Sequence, residues 1–289
     1  MISTTFAHHG TGGHWHHHAM NALPTDTSRS VGDLLREWRR HRRLSQLDLA
    51  TDAEISTRHL SFVESGRAQP SHDMILHLAE HLDLPLRERN ALLAAAGFAP
   101  AFKERPLDDP ALATARHTID LLLKGLEPYP ALAVDRYWQL VASNQATLRL
   151  LTGVAPELLQ PPINVLRLSL HPAGLAPRIR NLAQWRAHLL HRLRQQIDAS
   201  HDPQLIALLR ELQALPAPAL DTNAESTTQS AIAVPMQLEV DGAVLSMLST
   251  TTVFGSPVDI TLAELALEAF VPADAETAER LREMALPCP

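Results

Sequence analysis

The chain has 289 residues, of which 45% are hydrophobic, and a formal net charge of −7 at pH 7. Its length predicts two domains with separate cores, and its negative charge argues against bulk, sequence-independent binding of nucleic acid, which draws on a large positive field. The sequence lacks a long apolar run and a secretion signal, and its one cysteine, Cys288, cannot form an internal disulfide, so we expect a cytoplasmic protein without membrane spans.

Residues 1–29 lack apolar periodicity and are rich in histidine, glycine, threonine and serine. We predict a disordered tail here. Clustered imidazoles can capture zinc or nickel, but a structural zinc site needs ligands held in a tetrahedron, and nothing in this segment would hold them. We therefore expect no metal site and no cofactor. The histidines are His8, His9, His14, His16, His17 and His18.

Five helices are predicted between residues 30 and 97. A serine precedes four of them, and its hydroxyl can accept a hydrogen bond from a free backbone N–H of the first turn. These serines are Ser30, Ser45, Ser56 and Ser71. Pro85 starts the fifth helix, and Gly97 ends it. Apolar residues at helical spacing, such as Leu47, Leu49 and Ala50 in the second helix, are expected to face inward and form one compact domain.

The third helix, which Gly66 ends, turns Leu60 and Val63 inward and leaves a mixed donor, acceptor and apolar face outward. Such a face suits base edges and thymine methyl groups in the major groove of DNA. The outward residues are Thr57, Arg58, His59, Ser61 and Phe62. Arg58 could bind guanine through both fork nitrogens, and Phe62 could contact a thymine methyl group. Any of the five could instead be merely exposed.

Contacts to the DNA backbone are expected around this helix. Gln46 begins the second helix, so its amide and its backbone N–H point toward a phosphate at the positive helix end. Arg67 and Ser71 are expected to add backbone contacts. Arginines crowd the first helix and its exit, and they form either a basic face for phosphates or a solvated face. They are Arg36, Arg39, Arg40, Arg42 and Arg43.

These residues resemble the helix-turn-helix regulators of the phage-repressor, or xenobiotic-response-element, type. The resemblance covers residues 31–97 and is carried by Ser45-Gln46, Leu49-Ala50, Ile55-Ser56, Leu60-Ser61, Glu64-Ser65-Gly66-Arg67 and Pro70-Ser71. One departure is Glu54, in the turn before the third helix, where the family usually has glycine and where we expect a positive φ. The resemblance implies binding to a double-stranded DNA operator, normally as a homodimer that spans two half-sites.

Residues 98–110 contain three prolines and five charged residues, which predicts a linker to a second domain at 111–289. Predicted strands are 131–134 paired with 139–142, and a hairpin of 231–240 and 244–252 turned at Asp241-Gly242. Predicted helices are 111–126, 145–151, a long stretch at 176–215, an apolar helix at 262–270 and a polar helix at 274–284. The predicted fold class is therefore mainly α with a small antiparallel sheet, a five-helix domain followed by an α+β domain.

The second domain resembles the ligand-binding domain of the MmyB-like regulators, a PAS-like sheet with helices found behind this kind of helix-turn-helix. The resemblance covers most of residues 111–280. It is carried by residues 92–100 and 134–138, Asn144, residues 164–168, His171-Pro172, Asn181, Trp185 and residues 254–265. It implies a small apolar effector, fatty-acid-like in character, held between the sheet and the helices.

Seven residues are candidates for the effector site. The large apolar ones are Tyr137, Trp138, Trp185 and Met247, and the polar ones are Asn144, His171 and Arg178. The alternative is structural, because aromatic residues at helical or strand spacing more often belong to a core than to a pocket, and Asn144 is well placed to cap a helix.

The favoured hypothesis is a cytoplasmic, effector-responsive transcription regulator that dimerises through its second domain or through the stretch at 176–215. A second hypothesis keeps the helix-turn-helix but makes the second domain a ligand-free dimerisation or protein-interaction module. A third, a metal-binding or enzymatic protein, is disfavoured because the sequence carries none of the common catalytic motifs. His188 and His191 could chelate a metal, but no carboxylate lies at matching helical spacing, so a solvated face is the better interpretation.

Overall fold

The structure, a computed structural model, describes residues 14–15, 29–216, 234–255 and 257–286. The chain forms two compact units. Of the described residues, the N-terminal unit comprises 29–106, 255 and 257–263, and the C-terminal unit comprises 14–15, 107–216, 234–254 and 264–286. A short piece of the predicted second domain, residues 257–263, groups with the N-terminal unit.

Helices dominate the described residues, and one antiparallel sheet accompanies them. The helices are α1 (Val31–His41), α2 (Gln46–Asp52), α3 (Thr57–Glu64), α4 (His72–His81), α5 (Leu86–Ala95), α6 (Ala113–Gly125), α7 (Gln145–Leu150), α8 (Val165–Leu170), α9 (Leu182–Ser200), α10 (Pro203–Ala214), α11 (Ile260–Ala263) and α12 (Ala275–Ala285). The strands are β1 (His14–Trp15), β2 (Ala131–Val134), β3 (Leu140–Ser143), β4 (Met236–Val240), β5 (Ala243–Val253) and β6 (Ala266–Pro272). This composition confirms the predicted fold class.

The five helices α1–α5 begin where the sequence predicts. The hydroxyl groups of the four predicted cap serines each accept a hydrogen bond from the backbone N–H three residues later. The turn between α2 and α3 contains Glu54 at φ 51°, which confirms the expected left-handed residue without glycine. One inward assignment is wrong, since Leu47 is 63% exposed, whereas Leu49 and Ala50 are buried. Leu47 lies in the first turn of α2, outside the stripe that faces the core.

The sheet of the C-terminal unit has the strand order β1-β3-β2-β6-β5-β4, and every neighbouring pair is antiparallel. The predicted pair β2 and β3 is confirmed, as is the hairpin of β4 and β5. Asp241 and Gly242 turn this hairpin with φ values of 49° and 79°, the conformation that a tight two-residue turn requires. Residues 231–233 of the predicted hairpin lie outside the described residues.

The predicted apolar helix at 262–270 is wrong. Only Ile260–Ala263 is helical, and Ala266–Pro272 forms β6, which pairs with β2 on one side and β5 on the other. A short apolar run does not distinguish a buried strand from a buried helix by its periodicity. The pairing partners that decide the matter lie far away in the sequence.

The stretch at 176–215 is not one helix. A short 3-10 turn covers Ala176–Arg178, and α9 and α10 follow as two helices packed against each other. His201 has a φ of 53°, and Asp202 then caps α10 through the backbone N–H of Gln204. The left-handed residue reverses the chain, so α9 can pack against both the sheet side and α10.

The predicted N-terminal tail is described only at His14–Trp15, which pairs with β3 through His14 opposite Ser143 and Trp15 opposite Ala142. This pairing departs from the prediction of disorder at these two positions. The remaining part of the tail, 1–13 and 16–28, lies outside the described residues, as does most of the histidine cluster.

Candidate functional site

A buried ion pair holds α3 against α1 in the N-terminal unit. Arg39 of α1 donates from Nε to Glu64 Oε1 at 2.6 Å and from Nη2 to Oε2 at 2.9 Å. The side chains are 9% and 1% exposed. Burial alone would raise the pKa of Glu64, but hydrogen bonds from Arg39 and Gln46 outweigh it and hold that pKa below its ordinary value. The carboxylate at the end of α3 therefore stays charged and fixes this helix against α1.

Gln46 takes part in the same cluster. Its side-chain nitrogen donates to Glu64 Oε2 at 2.8 Å, so α1, α2 and α3 all contact one carboxylate. Sequence reasoning missed this bond, because the two residues are eighteen positions apart. Gln46 remains at the first position of α2, where the backbone N–H groups of the first turn have no intrahelical partner and can meet a phosphate.

The outward face of α3 contains the predicted base-contacting residues. Arg58 is exposed, while Thr57, His59, Ser61 and Phe62 are half-buried. The guanidinium carbon of Arg58 lies 5.3 Å from the ring centroid of Phe62, and that of Arg67 lies 6.0 Å from the same centroid. Two cations therefore flank one aromatic ring, an arrangement that combines positive charge with an apolar contact surface.

The arginines of α1 and its exit do not form one basic face. Arg39 is buried with Glu64, and Arg42 donates to the backbone carbonyls of Leu82 and Asp83, each at 2.8 Å. Arg36 binds Asp33 at 3.3 Å and also the backbone carbonyl of Glu64. Arg40 and Arg43 are exposed. Most of the predicted phosphate-binding run thus stabilises the domain, which the spacing of the arginines alone does not reveal.

A narrow cavity of about 80 Å³ lies in the C-terminal unit between the sheet and helices α7, α8 and α9. Its wall is almost entirely apolar. Side chains from the strands and from α8 and α9 line it, among them Leu132, Leu140, Leu166, Leu189 and Phe270. A pocket with apolar walls and a few polar groups is the usual form of a site for a small apolar molecule.

The lining residues Arg192 and Ser249 both bind the carboxylate of Glu268, which is 3% exposed. Arg192 donates to it from two nitrogens at 2.6 and 3.1 Å. Ser249 and Thr251 donate their hydroxyls at 2.7 and 2.8 Å. The guanidinium of Arg192 also lies 4.9 Å from the ring centroid of Trp138. Because the charges satisfy each other, the cavity combines an apolar wall with a neutralised polar end.

Trp138 and Trp185 are the two predicted effector residues that line the cavity. Trp138 donates from Nε1 to Gln196 Oε1 at 2.8 Å, and Trp185 donates from Nε1 to the Ser169 hydroxyl at 2.9 Å. These bonds orient both indoles, so their apolar faces have fixed positions.

The other five predicted effector residues make structural contacts outside the cavity lining. Asn144 caps α7 and bonds the carbonyls of Leu123 and Tyr129, and Met247 is fully buried in the core. Tyr137 donates its hydroxyl to Asp202, His171 accepts from the N–H of Ala173, and Arg178 donates to the carbonyl of Leu150. Burial lowers the pKa of Arg178. Their roles in binding remain predictions.

Sequence reasoning missed Arg192, Ser249 and Glu268. A glutamate inside the apolar run at 265–271 was the available signal, because a carboxylate in such a run needs a buried partner. His188 stacks on Trp185 with ring centroids 5.3 Å apart, and burial, followed by the charge of Arg192, lowers the pKa of His188. His191 is exposed, and the described residues contain no group of three or more possible metal ligands.

The two sites define a class of protein: a DNA-binding transcription regulator with a ligand-binding domain. A helix-turn-helix domain model matches residues 30–92, and the model of the MmyB-like transcription regulator ligand binding domain matches residues 115–284. The second match spans more than half of the chain, which therefore belongs to the MmyB-like transcription regulators. No curated protein matches the chain. Among the described helices, none is long and apolar enough to cross a membrane.

Proposed function

We propose that this protein is a cytoplasmic regulator that reads an operator with α3 and senses a small apolar effector, fatty-acid-like in character, in the cavity of its C-terminal unit. This proposal includes a helix-turn-helix of the xenobiotic-response-element type in the N-terminal unit and a PAS-like fold in the C-terminal unit. The observation that carries the proposal is the coexistence of an exposed, mixed-chemistry face on α3 with an apolar cavity lined by Trp138 and Trp185.

DNA reading follows from the geometry of α3. Its exposed Arg58 can bind the O6 and N7 atoms of guanine, while Phe62, between two guanidinium groups, suits a thymine methyl group. Phosphates are assigned to the first turn of α2 at Gln46, to Arg43 and Arg67, and to Ser71 at the start of α4.

Effector binding is supported by the chemistry of the cavity. An apolar wall favours a hydrocarbon, whereas the polar end at Glu268 and Arg192 offers hydrogen-bonding groups that can orient a polar head. At about 80 Å³ the cavity is narrow, so occupancy requires a slender ligand and a movement of the surrounding side chains.

Dimerisation is expected because a single helix-turn-helix contacts few base pairs. Within the C-terminal unit, α6 exposes two consecutive large apolar side chains, Leu121 at 57% and Leu122 at 44%. Exposed apolar surface of this kind favours association with another protein surface. We place the homodimer interface at α6.

One observation favours a second candidate function, a regulator whose C-terminal unit is a ligand-free dimerisation module. Only two of the seven predicted effector residues line the cavity, and its volume is small. This candidate predicts the same operator binding but no response to apolar molecules.

The proposal is tested by selecting bound sequences from random DNA duplexes with the full-length protein. Recovery of a palindromic motif with two half-sites about one helical turn apart is expected. The selected duplex is then titrated with protein in the absence and presence of dodecanoic acid and dodecanol. A change in affinity supports the sensor, and unchanged affinity for every apolar compound that binds favours the ligand-free module.

A further inference from the structure

Two strands that line the cavity are joined by a segment of the other unit. Strand β5 ends at Val253, β6 begins at Ala266, and Gly255–Ala263 between them groups with the N-terminal unit. We call residues 257–263 the crossing segment. Ser249 of β5 and Glu268 of β6 both line the cavity. Along the chain, each lies only a few residues from the crossing segment.

The crossing segment is fixed in the N-terminal unit by an ion pair with a buried carboxylate and by hydrogen bonds to backbone carbonyls. Asp259 is 2% exposed and accepts a hydrogen bond from Nη1 of Arg105 at 2.7 Å. The N–H of Ile260 donates to the carbonyl of Lys103 at 2.9 Å. The hydroxyl of Thr261 donates to the carbonyl of Arg105 at 2.6 Å. The Asp259–Arg105 bond is charge-assisted, so it is stronger than a hydrogen bond between neutral groups.

Residues 101–105 are in turn fixed to α5. The side-chain oxygen of Asn90 accepts from the N–H groups of Ala101 and Phe102 at 2.9 and 3.0 Å, and its nitrogen donates to the carbonyl of Phe102 at 2.7 Å. Arg87 of α5 also binds Glu104 at 2.8 Å. The first part of the predicted linker is therefore part of the N-terminal unit, and it joins the crossing segment to the helical core.

Strands β5 and β6 form part of the cavity wall through Ser249, Glu268 and Phe270. Space of about 80 Å³ is well below the several hundred that a typical ligand pocket offers, so a bound molecule has to displace its walls. Both strands are continuous with the crossing segment. When a ligand displaces these two strands, the displacement passes through residues 253 and 266 to a segment that is anchored in the N-terminal unit.

We propose that the crossing segment transmits effector occupancy to the DNA-binding unit through the Asp259–Arg105 pair. This inference rests on the proposed function, because it takes the cavity as the effector site and α3 as the DNA-reading helix. Transmission requires that the crossing segment has two arrangements. The protein must differ between these arrangements in its affinity for the effector and for DNA.

The first test needs no ligand. Ser249→Leu adds bulk inside the cavity, and Thr250→Leu, its matched control, makes a similar change on the exposed neighbouring residue of the same strand. Hydrogen exchange of the full-length variants is followed by mass spectrometry in peptides covering 257–263 and 101–106. We expect Ser249→Leu to change the hydrogen-exchange rate of these peptides by about fivefold or more, and we expect Thr250→Leu to leave that rate unchanged.

Exchange that is altered in β5 and β6 but unchanged in 257–263 and 101–106 would overturn the proposal. If Ser249→Leu does not fold, the same peptides are followed in the wild-type protein with dodecanol, whose binding is scored separately by native mass spectrometry. Failure of dodecanol and dodecanoic acid to bind counts against the proposed effector site, whereas binding without a change in these peptides counts against the crossing segment.

The second test uses the selected DNA duplex. Arg105→Ala combined with Asp259→Asn removes the ion pair without leaving a buried charge unpaired, and Val258→Ala, at a residue that is 80% exposed, is the control. Ser249→Leu is expected to change duplex affinity by about fivefold or more in the wild-type and control backgrounds, and to have no effect in the double variant. An undiminished effect in the double variant would contradict the proposed role of this pair.

Discussion

Arg39 and Glu64 are joined by two hydrogen bonds of 2.6 and 2.9 Å across the interior of the N-terminal unit. Since Gln46 binds the same carboxylate, α1, α2 and α3 meet at one charged group. The pair sets the position of α3, the helix proposed to read DNA, relative to α1.

Replacing Glu64 by glutamine should destabilise the N-terminal unit strongly. The substitution leaves the guanidinium of Arg39 buried without its counter-charge, and breaking such a pair costs about 3–5 kcal/mol of the free energy of unfolding. Urea denaturation followed by circular dichroism measures this change. The control is Glu80→Gln on the exposed side of α4, which should change stability by less than about 0.5 kcal/mol. Equal effects of the two substitutions would disprove a special role for Glu64.

The Glu64 carboxylate should make the free energy of unfolding depend on pH in the acidic range. Because its pKa in the folded protein lies below the ordinary value of 4.5, the unfolded chain binds the proton more readily. The stabilisation is fully present above 4.5 and is lost as the pH falls through the lower folded pKa. Urea titrations from about pH 6 to about pH 3 should show this loss in the wild type and a smaller loss in Glu64→Gln. Parallel curves for the two proteins would contradict the assignment.

Arg58 and Arg67 should behave differently toward DNA although both lie beside Phe62. Loss of a base contact in Arg58→Ala should cost about 1–3 kcal/mol of binding free energy and relax the preference at particular operator positions. Arg67→Ala should weaken binding by a similar factor for all sequences and reduce its salt dependence. Selection from random duplexes and titrations at several salt concentrations measure both effects. An unchanged sequence preference for Arg58→Ala would reject its role in base reading.

The dimer interface should depend on α6. Replacing Leu121 and Leu122 together by serine removes exposed apolar surface, so we expect the subunits to separate without loss of helical content. Light scattering after gel filtration measures the mass. Leu286→Ser is the matched control, because Leu286 is 71% exposed elsewhere in the C-terminal unit. A dimer that persists in the double variant would place the interface on another surface.

The sequence predicts those elements that are decided by neighbouring residues. Four serine caps, the left-handed Glu54 and the Asp241-Gly242 turn all depend on interactions within a few positions, and all are found in the structure. Strand β6 was missed because its partners, β2 and β5, are brought beside it only by the fold. For the same reason, a run of apolar residues was interpreted as a helix.

Prediction of the sites was limited in the same way. The face of α3 could be read from helical spacing, but the use of Gln46 and three arginines inside the domain depends on partners far along the chain. In the C-terminal unit, size and polarity suggested seven effector residues, yet Asn144 and Met247 serve the cap and the core. Arg192 and Glu268, from α9 and β6, become neighbours only after folding.

The most direct measurement of the central claim is native mass spectrometry of the purified full-length protein, followed by organic extraction and identification of the bound molecules. We expect a dimer that carries one small apolar molecule per subunit, and we expect Ser249→Leu, which fills the cavity, to displace this molecule. A dimer of the bare chain mass that takes up neither dodecanoic acid nor dodecanol would contradict effector sensing and leave a DNA-binding protein with a structural C-terminal unit.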